Sequence, residues 1–399
     1  MTVRRVFVLV LALVLACSLL APTASAQIPG TAPCRGGGNT SLSGWTTHDK
    51  LGDELEMIES ISRGRVEVDV IGRSHRGREI YAARVGHGPT VVLVEAAIHG
   101  NEMTGTNAIM NMLRKLGDSS PESAAIRDAV TVVAVPKVNP DGGEIPRRQN
   151  VMTWDQTVAL HPQLAGAPRA WYYSQGAGGF DVNRDFNPDL DYVPNPADMP
   201  GNSSSIGFYL TPEAQTIREI YRDLENEFGT VDVFVDLHHQ APCYTGEDTG
   251  MYTPLSISAK FITNPDAHGD WPKYDYDASR RVNVAVYDAI YRSERSPRSQ
   301  VTLYPQNTNL PGTALGSFQL RGSAAILFEV SGQTQSQGQR KAGYLTQLVE
   351  TGLFGILDAI TDGTLDDIDP ERYEEIPERR NVPRSQPSRQ PDRDRPDRG

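Results

Sequence analysis

Thr90-Val91-Val92-Leu93-Val94-Glu95-Ala96-Ala97-Ile98-His99-Gly100-Asn101-Glu102 is the stretch on which the fold turns. Val91 to Val94 is an unbroken apolar run, suited to a strand buried on both faces. It leads directly into a histidine and, three residues later, a glutamate. A strand end of this kind delivers His99 to the rim of a sheet, where α/β proteins carry their sites. Glu102, at the start of the following helix, can turn back to the same point. Imidazole nitrogen and carboxylate oxygen both suit a borderline divalent cation, and catalytic metal sites combine three protein ligands with an open position. H-x-x-E is a weak pattern alone, so its meaning depends on the rest of the chain.

Similar apolar runs recur at 130–135, 231–237 and 324–330. Residues 66–71 alternate like a half-buried strand, with 79–85 as a hairpin partner. Helical spacing places Leu51, Leu55, Ile58 and Ile61 on one face. Further helical patterns lie at 108–116, 213–227, 282–292 and 344–360. The alternation predicts an α/β fold: a single domain with a mixed, largely parallel central sheet flanked by helices. Residues 150–180 and 186–210 are polar, rich in Gly, Pro and Asn, and are expected as long surface loops.

With 399 residues, 38% hydrophobic and 22% charged, the chain can bury a large core. Its formal charge of -12 argues against a nucleic-acid partner. Arg4 and Arg5, the apolar stretch Val6 to Leu20, and Ala24-Ser25-Ala26 read as a cleavable signal over residues 1–26. Secretion is therefore expected, by the general, twin-arginine or lipoprotein route, and no later run is long enough to span a bilayer. Residues 27–45 read as an irregular leader, 46–362 as the catalytic domain, and 363–399 as a disordered, charged, Pro-rich tail. Cleavage of the signal would leave Cys34 and Cys243, either as one disulfide or as two buried thiols.

Two more pieces carry candidate chemistry. In Val235-Asp236-Leu237-His238-His239-Gln240, adjacent histidines on a strand point to opposite faces, so only one can join a site with His99. In Ile326-Leu327-Phe328-Glu329-Val330, burying a carboxylate in so apolar a strand is costly unless it has a partner or a task. Beside a metal-bound water, Glu329 could take a proton and return it to a leaving amine. A glutamate that simply reaches solvent is the ordinary alternative.

Taken in order, these pieces resemble the carboxypeptidase A-like zinc metallocarboxypeptidase family over about residues 46–361. Gly72-Arg73-Ser74-His75-Arg76-Gly77-Arg78 looks like its G-x-S-x-x-G-R hairpin, and Asn139-Pro140-Asp141-Gly142 like a signature after a buried strand. Gly179-Phe180-Asp181-Val182-Asn183-Arg184 is similar to its G-x-D-x-N-R segment. The resemblance implies one Zn2+ ion on His99, Glu102 and His238, with Glu329 as general base and acid for a metal-activated water. It further implies Asn183 and Arg184 as the binders of a substrate's C-terminal carboxylate, and Asp181 as the carboxylate orienting a zinc-bound imidazole. Arg148 corresponds to the residue stabilising the oxyanion, with Arg147 as the neighbouring register, and Tyr304 to a tyrosine covering substrate. The apolar stretch 310–315 falls at the specificity pocket. The expected activity is a secreted metallocarboxypeptidase acting on peptide or protein C-termini, with cell-envelope association through the tail as a further expectation. The rivals are an amidohydrolase of the aspartoacylase and desuccinylase type, a cell-wall-peptide carboxypeptidase, and a non-catalytic zinc-binding envelope module.

Overall fold

The computed structural model describes residues 45–241, 244–247, 252–293, 301–332 and 338–381. All of them fall in one compact unit, Cys34–Gly399. The expected signal, the leader up to residue 44, Cys34, Cys243 and residues 382–399 lie outside the described residues.

Eight strands form the main sheet: β1 (Val66–Arg73), β2 (Glu79–Val85), β3 (Thr90–Ala96), β4 (Val130–Val135), β5 (Val233–Gln240), β6 (Leu255–Ser258), β7 (Val301–Leu303) and β8 (Ala324–Ser331). Their spatial order is β1-β2-β4-β3-β5-β8-β6-β7. The central four, β4, β3, β5 and β8, run parallel, and antiparallel pairings appear at β1-β2, β2-β4 and β8-β6. The expected mixed, largely parallel sheet is therefore present.

Alternation along each strand divides the core into two layers. Val92, Val94 and Ala96 of β3 join one layer, together with Val233, Val235 and Leu237 of β5. That layer is covered by helices α1 (His48–Ser62), α2 (Thr104–Leu116), α5 (Tyr276–Arg292) and α7 (Gly338–Thr361). Val91 and Leu93 face the other layer, under α4 (Pro212–Phe228) and α6 (Ala314–Arg321). There Phe318 of α6 stacks flat on Tyr221 of α4, with ring centroids 3.9 Å apart. Helix α3 (Pro121–Ala129) leads into β4.

The helices begin where their chemistry allows. Thr47, Ser120, Thr211, Asp275 and Thr313 each accept a backbone N–H of the first turn and so cap an otherwise unpaired donor. The cap at Thr313 explains why the apolar stretch 310–315 ends in a helix and not in a loop. Residues 150–210 are more than surface connection. Met152, Trp154, Tyr172, Phe180 and Phe208 form a small aromatic core of their own. Asp185 ties it down, accepting from Tyr172 Oη (2.5 Å), Leu210 N (2.9 Å), Thr211 N (2.7 Å) and Thr211 Oγ1 (2.7 Å).

The tail expected to be disordered from residue 363 is ordered as far as 381, which corrects that boundary. Tyr373 and Ile376 are buried in the main core, and Arg379–Asn381 pairs antiparallel with Tyr244–Gly246. Tyr373 Oη donates to Gln306 Oε1 (2.9 Å) and accepts from Ala259 N (2.9 Å). Average polarity conceals such anchors: two apolar side chains at the right spacing suffice to fasten a charged segment. Tyr373→Ala is expected to cost about 3–5 kcal/mol, seen as a lower urea midpoint. An unmoved midpoint would return this segment to a loose tail.

Candidate active site

The site lies at the C-terminal ends of the parallel strands, on the α4–α6 face. Ala97, with φ 54°, turns the chain out of β3 and aims His99 at the sheet rim. Gly100 follows because the chain passes close beneath Gly142, where a Cβ would stand 2.1 Å from its carbonyl carbon. His238 projects from β5, and Glu329 is its register partner on β8.

Nδ1 of His99 and Nδ1 of His238 face each other at 3.0 Å. Glu102 closes the cluster, with Oε1 3.1 Å from His99 Nδ1 and Oε2 2.9 Å from His238 Nδ1. All three side chains are buried, and their ligand atoms lie within 4.8 Å of one another. Behind each ring stands a carboxylate. His99 Nε2 donates to Asp181 Oδ1 (3.1 Å) and His238 Nε2 to Asp236 Oδ2 (2.7 Å). With the outer nitrogens so committed, both inner lone pairs and the Glu102 carboxylate converge on one point. Carboxylate-backed imidazoles beside a carboxylate are the donor set of a divalent transition metal, so the residues present fit zinc.

The charges agree. Burial opposes a charged His238, yet Asp236 and Glu102 together hold its proton affinity well above the ordinary value. Burial likewise works against ionised Glu102, and the two imidazoles outweigh it, holding the carboxyl well below its usual range. Asp181 is lowered in the same way, against burial, by His99, Arg184 and Arg148. The cluster favours a positive charge at its centre, which a proton or a metal ion would supply.

Arg148, 38% exposed, lies against this point. Nε and Nη2 each stand 2.9 Å from Asp181 Oδ2, and Nη1 is 3.1 Å from His99 Nδ1. Arg147 instead turns into the loop and donates to the carbonyls of Gln149, Ala177 and Asn150. The neighbouring register is thereby separated by geometry. Asn183 is buried and used at both ends: Nδ2 donates to Asp236 Oδ2 (3.2 Å), and Oδ1 accepts from Ala314 N (3.0 Å). Arg184 donates to the Asn183 carbonyl (2.5 Å) and pairs with no carboxylate at contact distance among the described residues. The Asn183 amide is thus spent within the protein, whereas the Arg184 guanidinium meets no carboxylate among the described residues.

Burial pushes the Glu329 carboxyl up to about 8, with Glu102 adding to the rise and His238 opposing it. His239, the other histidine of the pair, points away: its Nε2 accepts from Thr104 N (3.0 Å) at the start of α2. Burial brings its pKa down to about 4, which keeps that nitrogen an acceptor. Tyr304 packs against the core, beneath the guanidinium of Arg379 at 4.1 Å from its ring. The hairpin and Asn-Pro-Asp-Gly motifs brace one another. Arg78 Nη1 donates to Asp141 Oδ1 (2.6 Å), Arg76 N to Asp141 Oδ2 (2.8 Å), and Asn139 Nδ2 reaches the carbonyls of Ile98 and Arg148.

Sequence reasoning overlooked two carboxylates. Asp236 orients His238, a role that the Asp-x-His spacing on one strand could have revealed. Glu95, its register partner on β3, is buried with both oxygens lacking a partner among the described residues. Burial and the neighbouring Asp236 push its carboxyl well above the usual range. Asp236→Asn and Asp181→Asn are each expected to weaken zinc binding about 10–100-fold, measured by competition with a chelator. Unchanged affinity in both would deny these carboxylates their orienting role.

Comparison with solved structures finds carboxypeptidase A of Helicoverpa armigera, 16% identical, with a TM-score of 0.53 over 81% of this chain and 77% of that one. Bovine thrombin-activatable fibrinolysis inhibitor, solved with tick carboxypeptidase inhibitor, is 12% identical, with a TM-score of 0.54 over 80% and 98%. At such identities the likeness is one of fold. An inactive metallocarboxypeptidase of Talaromyces marneffei, ecm14, is 24% identical over 208 residues, 46% of this chain and 31% of that protein. The match therefore spans less than a third of that relative's length. The zinc carboxypeptidase family profile matches residues 53–309, more than half of the sequence and including His99, Glu102 and His238. This chain belongs to the zinc carboxypeptidase family.

Proposed function

We propose that the protein is an exported zinc carboxypeptidase that releases residues from the free C-termini of peptides. The observation that carries this reading is the convergence of His99, Glu102 and His238 on one point, with Glu329 in register beside His238. One zinc ion held by those three side chains would supply Lewis acidity to the scissile carbonyl and to a water molecule. Glu329, as carboxylate, takes the water's proton as the oxygen–carbon bond forms. It returns that proton to the nitrogen as the carbon–nitrogen bond breaks, leaving a free acid and a free amine. Arg148 holds the negative charge that develops on the carbonyl oxygen. Arg184, with its guanidinium fork, selects a terminal carboxylate, which is what limits the enzyme to chain ends. Export rests on residues 1–26, and the N-terminal sequence of the mature protein tests it.

A non-catalytic zinc-binding module is the second reading, favoured by the relative from Talaromyces marneffei, which is named inactive. The retention here of a carboxylate at 329, in register with the third ligand, supports the active reading.

Glu329→Gln is expected to keep zinc bound and to lower peptide hydrolysis by about 10²–10⁴-fold. Full activity in that variant would remove Glu329 from its role, and an inert zinc-loaded wild type across C-terminally free peptides would establish the second reading. Arg184→Ala should erode the preference for a free over an amidated C-terminus, measured as the ratio of kcat/KM values. Because Glu329 must be ionised to accept a proton, kcat/KM should rise with pH. A nearby divalent charge lowers a carboxyl, so the midpoint of that limb is expected below the value of about 8 that burial and the neighbouring side chains produce without it.

A further inference from the structure

Arg379 lies in the segment whose composition suggested a disordered tail, beyond the residues matched by the family profile. The pairing of Arg379–Asn381 with Tyr244–Gly246 brings it back over the site. Its guanidinium lies between two aromatic rings, 4.2 Å from the centroid of Tyr244 and 4.1 Å from that of Tyr304. Nη1 donates to Gln240 Oε1 (2.5 Å), which also accepts from Ser256 Oγ (2.8 Å). No carboxylate among the described residues pairs with it at contact distance. Among the described residues one of its five donors is engaged, so a partly exposed cation is held between the rings with the rest of its donor edge unpaired by them.

Strand register places this cation. Glu329 pairs with His238 on one side and Ser256 on the other, and Gln240 shares the face of His238. Two residues along a strand is roughly 6.6 Å, so Gln240 carries Arg379 past the metal-binding row toward the strand ends. Away from Gln240, the Asn183 amide spans His238 and Asp236, with Nδ2 3.0 Å from His238 Nε2 and 3.2 Å from Asp236 Oδ2, and Arg184 is tied to the Asn183 carbonyl. A peptide with its terminal carboxylate at Arg184 and its scissile carbonyl at the cluster would therefore leave toward Arg379 on its acyl side.

We propose that Arg379 is a specificity residue that recognises a carboxylate carried by the substrate on the acyl side of the scissile bond. The favoured substrates are peptides with an acidic residue immediately before the residue released. This rests on the carboxypeptidase reading for the direction in which the substrate lies. Stacking between Tyr244 and Tyr304 supplies the rigidity, so the fork is oriented before substrate arrives.

The test compares two N-acylated dipeptides with the same neutral C-terminal residue, one with Glu and one with Gln before it, on the zinc-loaded full chain. Wild type is expected to favour the Glu peptide about tenfold in kcat/KM, with R379Q bringing the ratio close to one and R379K retaining part of the preference. A ratio unchanged by R379Q, or no wild-type preference for Glu, would overturn the assignment. Should R379Q not fold, salt titration of the wild type decides: a charge contact predicts a preference that shrinks with ionic strength, and a salt-independent one rejects it. If neither peptide is hydrolysed, the carboxypeptidase reading fails on its own. Calorimetric binding of the same pair then judges Arg379, with tighter binding of the Glu peptide sustaining it and equal affinities ending it.

Discussion

Two imidazole nitrogens 3.0 Å apart cannot both carry protons, and much of this structure is arranged around that constraint. Asp181 and Asp236 fix the outer nitrogens, so the inner ones are left as lone pairs beside the Glu102 carboxylate. Removing so many charged groups from water carries a large desolvation penalty, which only a cation or a shared proton at the centre can offset. Glu95 follows the same logic, since a neutral carboxyl beside Asp236 avoids a second buried negative charge. The metal chemistry is thus prepared by groups well behind the ligands themselves.

The sheet provides the positions and the surrounding motifs provide the stiffness. Parallel β3, β5 and β8 end on one edge, so residues far apart in sequence meet there without long excursions of backbone. The hairpin at 72–78 and Asn139-Pro140-Asp141-Gly142 touch no proposed substrate position. They hold the loop carrying His99 against the loop carrying Arg148, through Arg78–Asp141 and the Asn139 amide. Motifs that mark a site in sequence can therefore be the scaffold on which the site rests. The aromatic core around Trp154 and Phe180 does the same for Asn183 and Arg184, with Asp185 binding it to the start of α4.

Buried strands were legible because continuous apolar runs have few other uses, and the helices because their apolar spacing leaves one face polar. The order of His99, Glu102 and His238 pointed to a candidate metal cluster before any distance was known, and the structure brings those three together. The short strands β6 and β7 escaped notice: four and three residues hold too little pattern to separate from loop. The segment 370–381 was hidden by its charges, although Tyr373 and Ile376 are buried in the main core.

By itself the sequence determined which residue types could bind a metal, which strand ends would carry them, and which of the motifs occur in order. Those are local properties, set by side-chain chemistry and by periods of two and 3.6 residues. The family resemblance named His238 and Arg148 over their neighbours, and only the tertiary structure shows why: His239 turns to Thr104 and Arg147 into its own loop. It alone turned the Asn183 amide inward, gave His238 its carboxylate, and set Arg379 between two tyrosines above the site. Each of those outcomes depends on which face of a strand or loop meets a distant segment, and that is fixed by packing between elements, which local spacing does not encode.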